Sequence, residues 1–256
     1  RRQNIILATK FGQVVSPDGK REINGHPDYV RKACEASLKR LNTDYIDLYY
    51  QHRVDKKVPI DDTVGEMGRL MDEGKIRAIG LSEASPVNVE KAQSRRNIAA
   101  LQIEYSLWTR FIEEAHLPLC KNLGITIVGY APLGRGFFTG KIRTVKDLAA
   151  GEDRRKHHPR FEAENIEKNV AILDPVEKLA ARKKCTMAQL ALAWTLSGTG
   201  LISLPGVSKV DHLEENVKSL DFELSAEERE LLSTSINIHQ IAGERYPEAM
   251  IDKVNA

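Results

Sequence analysis

The chain has 256 residues, 41% hydrophobic and 29% charged, enough to bury a large core under a polar surface, which excludes wholesale disorder. Its 38 Lys and Arg against 36 Asp and Glu leave a formal net charge of +2, so no nucleic-acid or other polyanionic partner is expected. The three cysteines, Cys34, Cys120 and Cys185, are far apart and lack CxxC spacing, which argues against a disulfide framework or a metal site and for reduced thiols in a cytoplasmic protein. No apolar run nears the roughly 18 residues of a membrane span, and no signal peptide is recognisable in a chain that opens at Arg1-Arg2-Gln3-Asn4 without Met.

In chain order, residues 5–11 (IILATKF) read as a strand. Pro27 suits a first helical turn, and Val30, Ala33, Cys34, Ser37, Leu38 and Leu41 follow at helical spacing. A strand at 45–51 (YIDLYYQ) precedes a helix with Val64, Met67, Leu70 and Met71, closed by Gly74 at the C-cap. Strands at 76–81 (IRAIGL) and 100–105 (ALQIEY) come next. A helix through Ile112, Ala115, Leu119 and Leu123 ends at Gly124, and a strand follows at 126–130 (TIVGY). Residues 134 to about 165 form one long irregular stretch, too long for a plain turn, and read as a functional loop. Thr186 and Gln189 make a capping box ahead of Leu190, Ala191, Ala193 and Trp194. A last strand at 201–204 leads to a helix opened by Ser208 or Asp211 and running through Leu213, Val217 and Leu220, and one more helix follows Ser225.

Short apolar strands alternating with helices predict an α/β fold with all strands parallel, built as one domain over residues 1–256. No Gly-x-Gly-x-x-Gly follows the first strand, which favours a (β/α) barrel over a dinucleotide-binding doubly wound sheet. Barrel chemistry sits at the C-terminal strand ends. Those ends carry Lys10, His52, Ser82-Glu83, Gln102, Tyr130 and Gly206-Val207-Ser208. Singly, Lys10 reads as a lysine reaching solvent and His52 as a core histidine; on consecutive strand ends they make one polar spot. Tyr130 could stack on a flat ligand, and the Gly134-Arg135-Gly136 turn could hold phosphate through its N–H groups and the arginine. The turn before the helix near Ser208 is a second candidate anion site, with Glu215 and Asn216 two turns on.

The runs ATKFG, YIDLYYQHRVD, KIRAIGLSEAS, ALQIEYSLWTR, GYAPLGRGFFTGK and LPGVSKVDHLEENV together resemble the aldo-keto reductase family, with a likeness to its perakine-reductase-like branch. The resemblance covers nearly the whole chain. It implies a (β/α)8 TIM barrel that binds NADPH and passes hydride to an aldehyde or ketone. Lys10 and His52 match the family's catalytic lysine and histidine. Ser82 and Gln102 match the residues that bind the nicotinamide amide, and Tyr130 matches the ring that stacks on it. Leu133, Gly134, Arg135 and Gly136 match the pyrophosphate loop. Gly206, Ser208, Lys209, His212, Glu215 and Asn216 match the adenosine and 2′-phosphate segment. Glu83 stands where many members have Asn, and His212 where many have Arg, which shifts the 2′-phosphate contact towards Lys209. Nothing in the chain matches the family's D-T-A-x-x-Y-G motif, source of the catalytic Asp and Tyr. The expectation is therefore six βα units lacking the first two, an open barrel prone to self-association at its edges, and impaired carbonyl reduction. The alternative is a nucleotide-binding or scaffolding relative that does not turn over.

Overall fold

A computed structural model describes residues 2–16, 18–149, 153–197, 200–251 and 254. Strands β1 (Ala8–Phe11), β4 (Ile46–Gln51), β5 (Ile76–Ser82), β6 (Ile98–Glu104), β7 (Thr126–Tyr130) and β8 (Ile202–Leu204) form one sheet in that order. The six parallel strands make an open, incompletely closed barrel of the α/β class, with β1 and β8 at the two ends of the sheet. β2 (Gln13–Val15) and β3 (Arg21–Ile23) form a separate antiparallel hairpin, which corrects the expectation that every strand is parallel.

The helices are α1 (Pro27–Leu41), α2 (Ile60–Asp72), α3 (Pro86–Arg95), α4 (His116–Leu123), α5 (Ala163–Asn169), α6 (Leu173–Lys183), α7 (Met187–Leu196), α8 (Val210–Val217), α9 (Ala226–Ser235) and α10 (Glu248–Ile251). Their ends follow local chemistry. Ser85 caps α3, and capping boxes at Thr186/Gln189 and Ser225/Glu228 start α7 and α9. Gly124 closes α4 in the left-handed conformation. α8 starts after Lys209 with no side-chain cap, so neither Ser208 nor Asp211 caps it. The 134–165 stretch is not one irregular loop. It folds into short 3-10 turns at Gly134–Thr139, Val145–Asp147, Arg154–His157 and Pro159–Phe161, with residues 150–152 outside the described set.

The first strand starts three residues later than its apolar run. The Leu7 N–H donates to the Asp47 side-chain carboxylate of β4 (2.9 Å) instead of to a β4 backbone carbonyl, and Ile6 is 83% exposed. The chain divides into two compact units. One takes in Arg1–Ile103 and Glu114–Ile127; the other takes in Glu104–Glu113 and Val128–Ile251. In the first, Phe11 stacks on Tyr49 (ring centroids 4.9 Å), whose hydroxyl donates to the Val30 carbonyl of α1. In the second, Trp108 stacks on Phe137 (4.5 Å), with Phe138 and Phe161 edge-on. No helix among the described residues is long and apolar enough to cross a membrane.

Candidate active site

Successive residues of a strand point to opposite faces, and residues paired in register share one. In the first unit Lys10 pairs with Tyr50, Tyr50 with Gly80, and Ser82 with Gln102. Phe11 and Tyr49 turn towards α1, so Lys10 and Tyr50 occupy the other face, and His52 follows Tyr50 by two residues. The Lys10 ammonium lies 5.8 Å from the Tyr50 ring centroid. Tyr50 in turn lies flat across Gly80, where a Cβ would come within 2.4 Å of the ring, and its hydroxyl shares a hydrogen bond with Gln102. Burial pushes the Tyr50 phenol up to about 12.

His52 follows β4, its N–H donating to the Phe11 carbonyl (2.8 Å). Burial, then the charges of Arg53 and Lys10, push its imidazole down to about 4. The ring is therefore neutral at ordinary pH and carries one N–H to donate. Burial and Arg53 also hold the Lys10 ammonium below its usual value. Arg53, which the sequence marks only by its place beside His52 at a strand end, donates to the Ser82 hydroxyl (3.3 Å) and the His52 carbonyl (2.8 Å). Glu83 is buried in the left-handed conformation (φ 54°), its N–H donating to the Gln102 carbonyl (2.9 Å).

The second unit holds a cleft of about 790 Å³. Tyr130, Leu133, Arg135, Gly136, Gly206, His212, Glu215 and Asn216 line it, joined by Lys141 and Arg155, which the sequence reading did not single out. Lys141 ends the GYAPLGRGFFTGK run, and Arg155 lies in the charged stretch read as a functional loop. Gly206 has open space where a Cβ would stand. Asn216 is buried, and the Gln189 amide donates to the Glu215 carbonyl (3.1 Å), tying α8 to the start of α7. Ser208 and Lys209 are exposed at the turn before α8 and do not line the cleft. Gly134 lies against Trp108 instead, a Cβ there reaching 2.8 Å from the indole.

The Gly134-Arg135-Gly136 turn differs from the expected phosphate cradle. The Gly134 and Gly136 N–H groups already donate to the Ala131 and Leu133 carbonyls (2.9 and 3.0 Å). The Arg135 guanidinium pairs with the buried Glu104 carboxylate (3.4 Å) and lies over the Tyr246 ring (5.2 Å). Burial works against that charge, and Glu104 and Tyr246 outweigh it, so Arg135 is held above its usual value. Tyr130 and Tyr246 share a hydroxyl–hydroxyl hydrogen bond of 2.9 Å. Arg245 also faces Glu104 (3.7 Å), and Thr109 donates to it (3.1 Å).

The sequence profile of the Aldo/keto reductase family matches residues 1–236. The chain is 48% identical over 246 residues to a probable aldo-keto reductase 1 of Glycine max, covering 96% of this chain and 70% of that one. Among solved structures it resembles a glycerol dehydrogenase of Gluconobacter oxydans, with TM-score 0.82 and 31% identity over 89% of this chain and 71% of that one. It also resembles an aldo-keto reductase of Bacillus halodurans in its holo form, with TM-score 0.74 and 28% identity over 93% of this chain and 75% of that one. The family profile and the relative from Glycine max together show that the chain belongs to the aldo-keto reductase family.

Proposed function

We propose that the protein is an NADPH-dependent carbonyl reductase acting on a small aldehyde or ketone. The observation that carries this reading is the second-unit cleft. Its volume lies in the range of small-molecule sites, and an aromatic ring, an open glycine, a buried amide and cationic side chains converge on it. That set fits a dinucleotide: Tyr130 offers a face to the nicotinamide, Lys141 offers charge to the phosphates with Arg155, itself paired with Asp153, beside it, and Gly206 and Asn216 lie beside His212 and Glu215 for the adenosine. Ser82 and Gln102 are the proposed ligands of the carboxamide. Lys209 is proposed for the 2′-phosphate. Bound NADPH supplies the hydride; this chain's part is to hold the carbonyl oxygen, to which neutral His52 donates an N–H while Lys10 adds positive charge beside it.

The test is direct titration. NADPH should quench the protein's intrinsic fluorescence saturably, and Lys209→Ala should weaken NADPH about tenfold while sparing NADH, since a charge-assisted contact is worth about 1.5–3 kcal/mol. Failure to bind NADPH sinks the reading; equal losses for both cofactors remove Lys209 from the 2′-phosphate.

A second reading, nucleotide binding without efficient turnover, has one observation in its favour. The tyrosine beside Lys10 is Tyr50, whose phenol burial pushes up to about 12 against the opposing hydrogen bond with Gln102, a poor proton donor to a nascent alkoxide. NADPH binding with no carbonyl-dependent loss of nicotinamide absorbance would select it. Within the family, the run KIRAIGLSEAS with Glu83 supports the perakine-reductase-like branch. Three free cysteines suit a cytoplasmic setting. Self-association through the ends of the sheet is the proposed protein–protein contact.

A further inference from the structure

We infer that Tyr246 is a positioning residue for Tyr130: a tail segment, residues 241–246, is fastened to the second unit so that the Tyr246 hydroxyl fixes the aromatic floor of the dinucleotide cleft. This deepens the reading above and rests on it.

The fastening is made of independent ties. Ala242 is held at both backbone groups by buried Asn169, whose Oδ1 accepts from its N–H (2.8 Å) and whose Nδ2 donates to its carbonyl (2.9 Å). Gly243 sits in the left-handed conformation (φ 84°), and a Cβ there would come within 2.7–2.8 Å of the Pro159 and Arg160 backbone, so no other residue fits. The Arg160 guanidinium donates to the Gly243 carbonyl (3.4 Å), and a ring nitrogen of His158 meets the Arg245 carbonyl (3.3 Å). Arg245 then reaches the Glu104 carboxylate. A segment tied at so many points delivers Tyr246 as a fixed, buried ring rather than a mobile one.

Its hydroxyl meets two partners. Arg135 has only N–H groups to give, so in its hydrogen bond with Tyr246 the phenol oxygen accepts. The Tyr246 proton is then available to the Tyr130 oxygen 2.9 Å away. Glu104 anchors Arg135 from behind. Arg135 thus acts one step removed from the ligand, through Tyr246, and Tyr130 has its ring orientation set from the end remote from its backbone.

The experiment compares NADPH with adenosine 2′,5′-bisphosphate, which carries the adenosine half and lacks the nicotinamide. Tyr246→Phe keeps the ring and removes the hydroxyl. Losing the hydroxyl ends its bond from Arg135 as well as its bond with Tyr130; it should weaken NADPH about two- to tenfold, leave the bisphosphate unchanged and leave the urea midpoint near that of the parent. Tyr130→Phe removes the same bond from its other side, so the double variant should be no weaker than the worse single one. Additive losses, or equal losses for both ligands, would overturn the inference while the cleft reading stands. An unaltered chain that binds the bisphosphate but not NADPH, or neither, would overturn both.

Discussion

At residue scale, the tightest constraint is the pair Gly80 and Tyr50. The ring fills the space a side chain at 80 would need, and it spans from Lys10 to Gln102. Gly80→Val should therefore displace Tyr50 and cost about 1–3 kcal/mol by overpacking; urea unfolding reads the loss, and an unchanged midpoint would mean that the ring moves freely. His52 supplies a pH dependence. Unfolded, its imidazole takes up a proton near pH 6.5; folded, only near pH 4. Between those values the unfolded state holds more protons, so stability falls as pH drops from 6.5 towards 4. His52→Gln should flatten that slope, measured as the urea midpoint against pH; an unaltered slope would assign it to other groups. The places of Lys10 and His52 at strand ends were legible in the sequence because each closes an apolar run. The alignment of Arg135 was not: a Gly-Arg-Gly motif suggests an arginine aimed at phosphate, whereas its own left-handed backbone (φ 58°) and a buried carboxylate on β6 decide where it points.

At the scale of elements, helices with a stripe and a cap were readable, and those lacking one were not. α3 carries few apolar positions and buries only Val89 and Ala92, and α5 and α6 lie in or just past a charged stretch. The β2–β3 hairpin is mostly exposed, with no alternation strong enough to mark it. α8 was readable as a helix from Leu213 and Val217, yet both are exposed, as are Val210 at its start and Leu220 just past its end. The α7 capping box is worth a quantitative test because Gln189 serves both the cap and Glu215 of the cleft. Thr186→Ala should cost about 1 kcal/mol; a loss well below that would show the two bonds of Gln189 holding the turn alone.

At the scale of the molecule, alternating strands and helices were enough to give the α/β class, the six parallel strands and a sheet that ends, among the described residues, at β1 and β8, since each follows from order along the chain. Division into two compact units was not readable, because it depends on contacts between residues far apart in sequence. The exposed β8 edge, with Ile202 and Leu204 on it, leads to an expectation of concentration-dependent association. Ile202→Lys with Leu204→Lys should lower the sedimentation coefficient at high concentration, and a parent that stays monomeric would dismiss the edge as a contact. The Gly243 backbone has a consequence for recombination between relatives. Its Cα is wedged against Pro159 and Arg160 with no room for a methyl group. A chimera that takes residues 154–161 from one parent and 241–246 from another inherits two halves of a fitted joint cut to different patterns, so these segments should be exchanged as a pair.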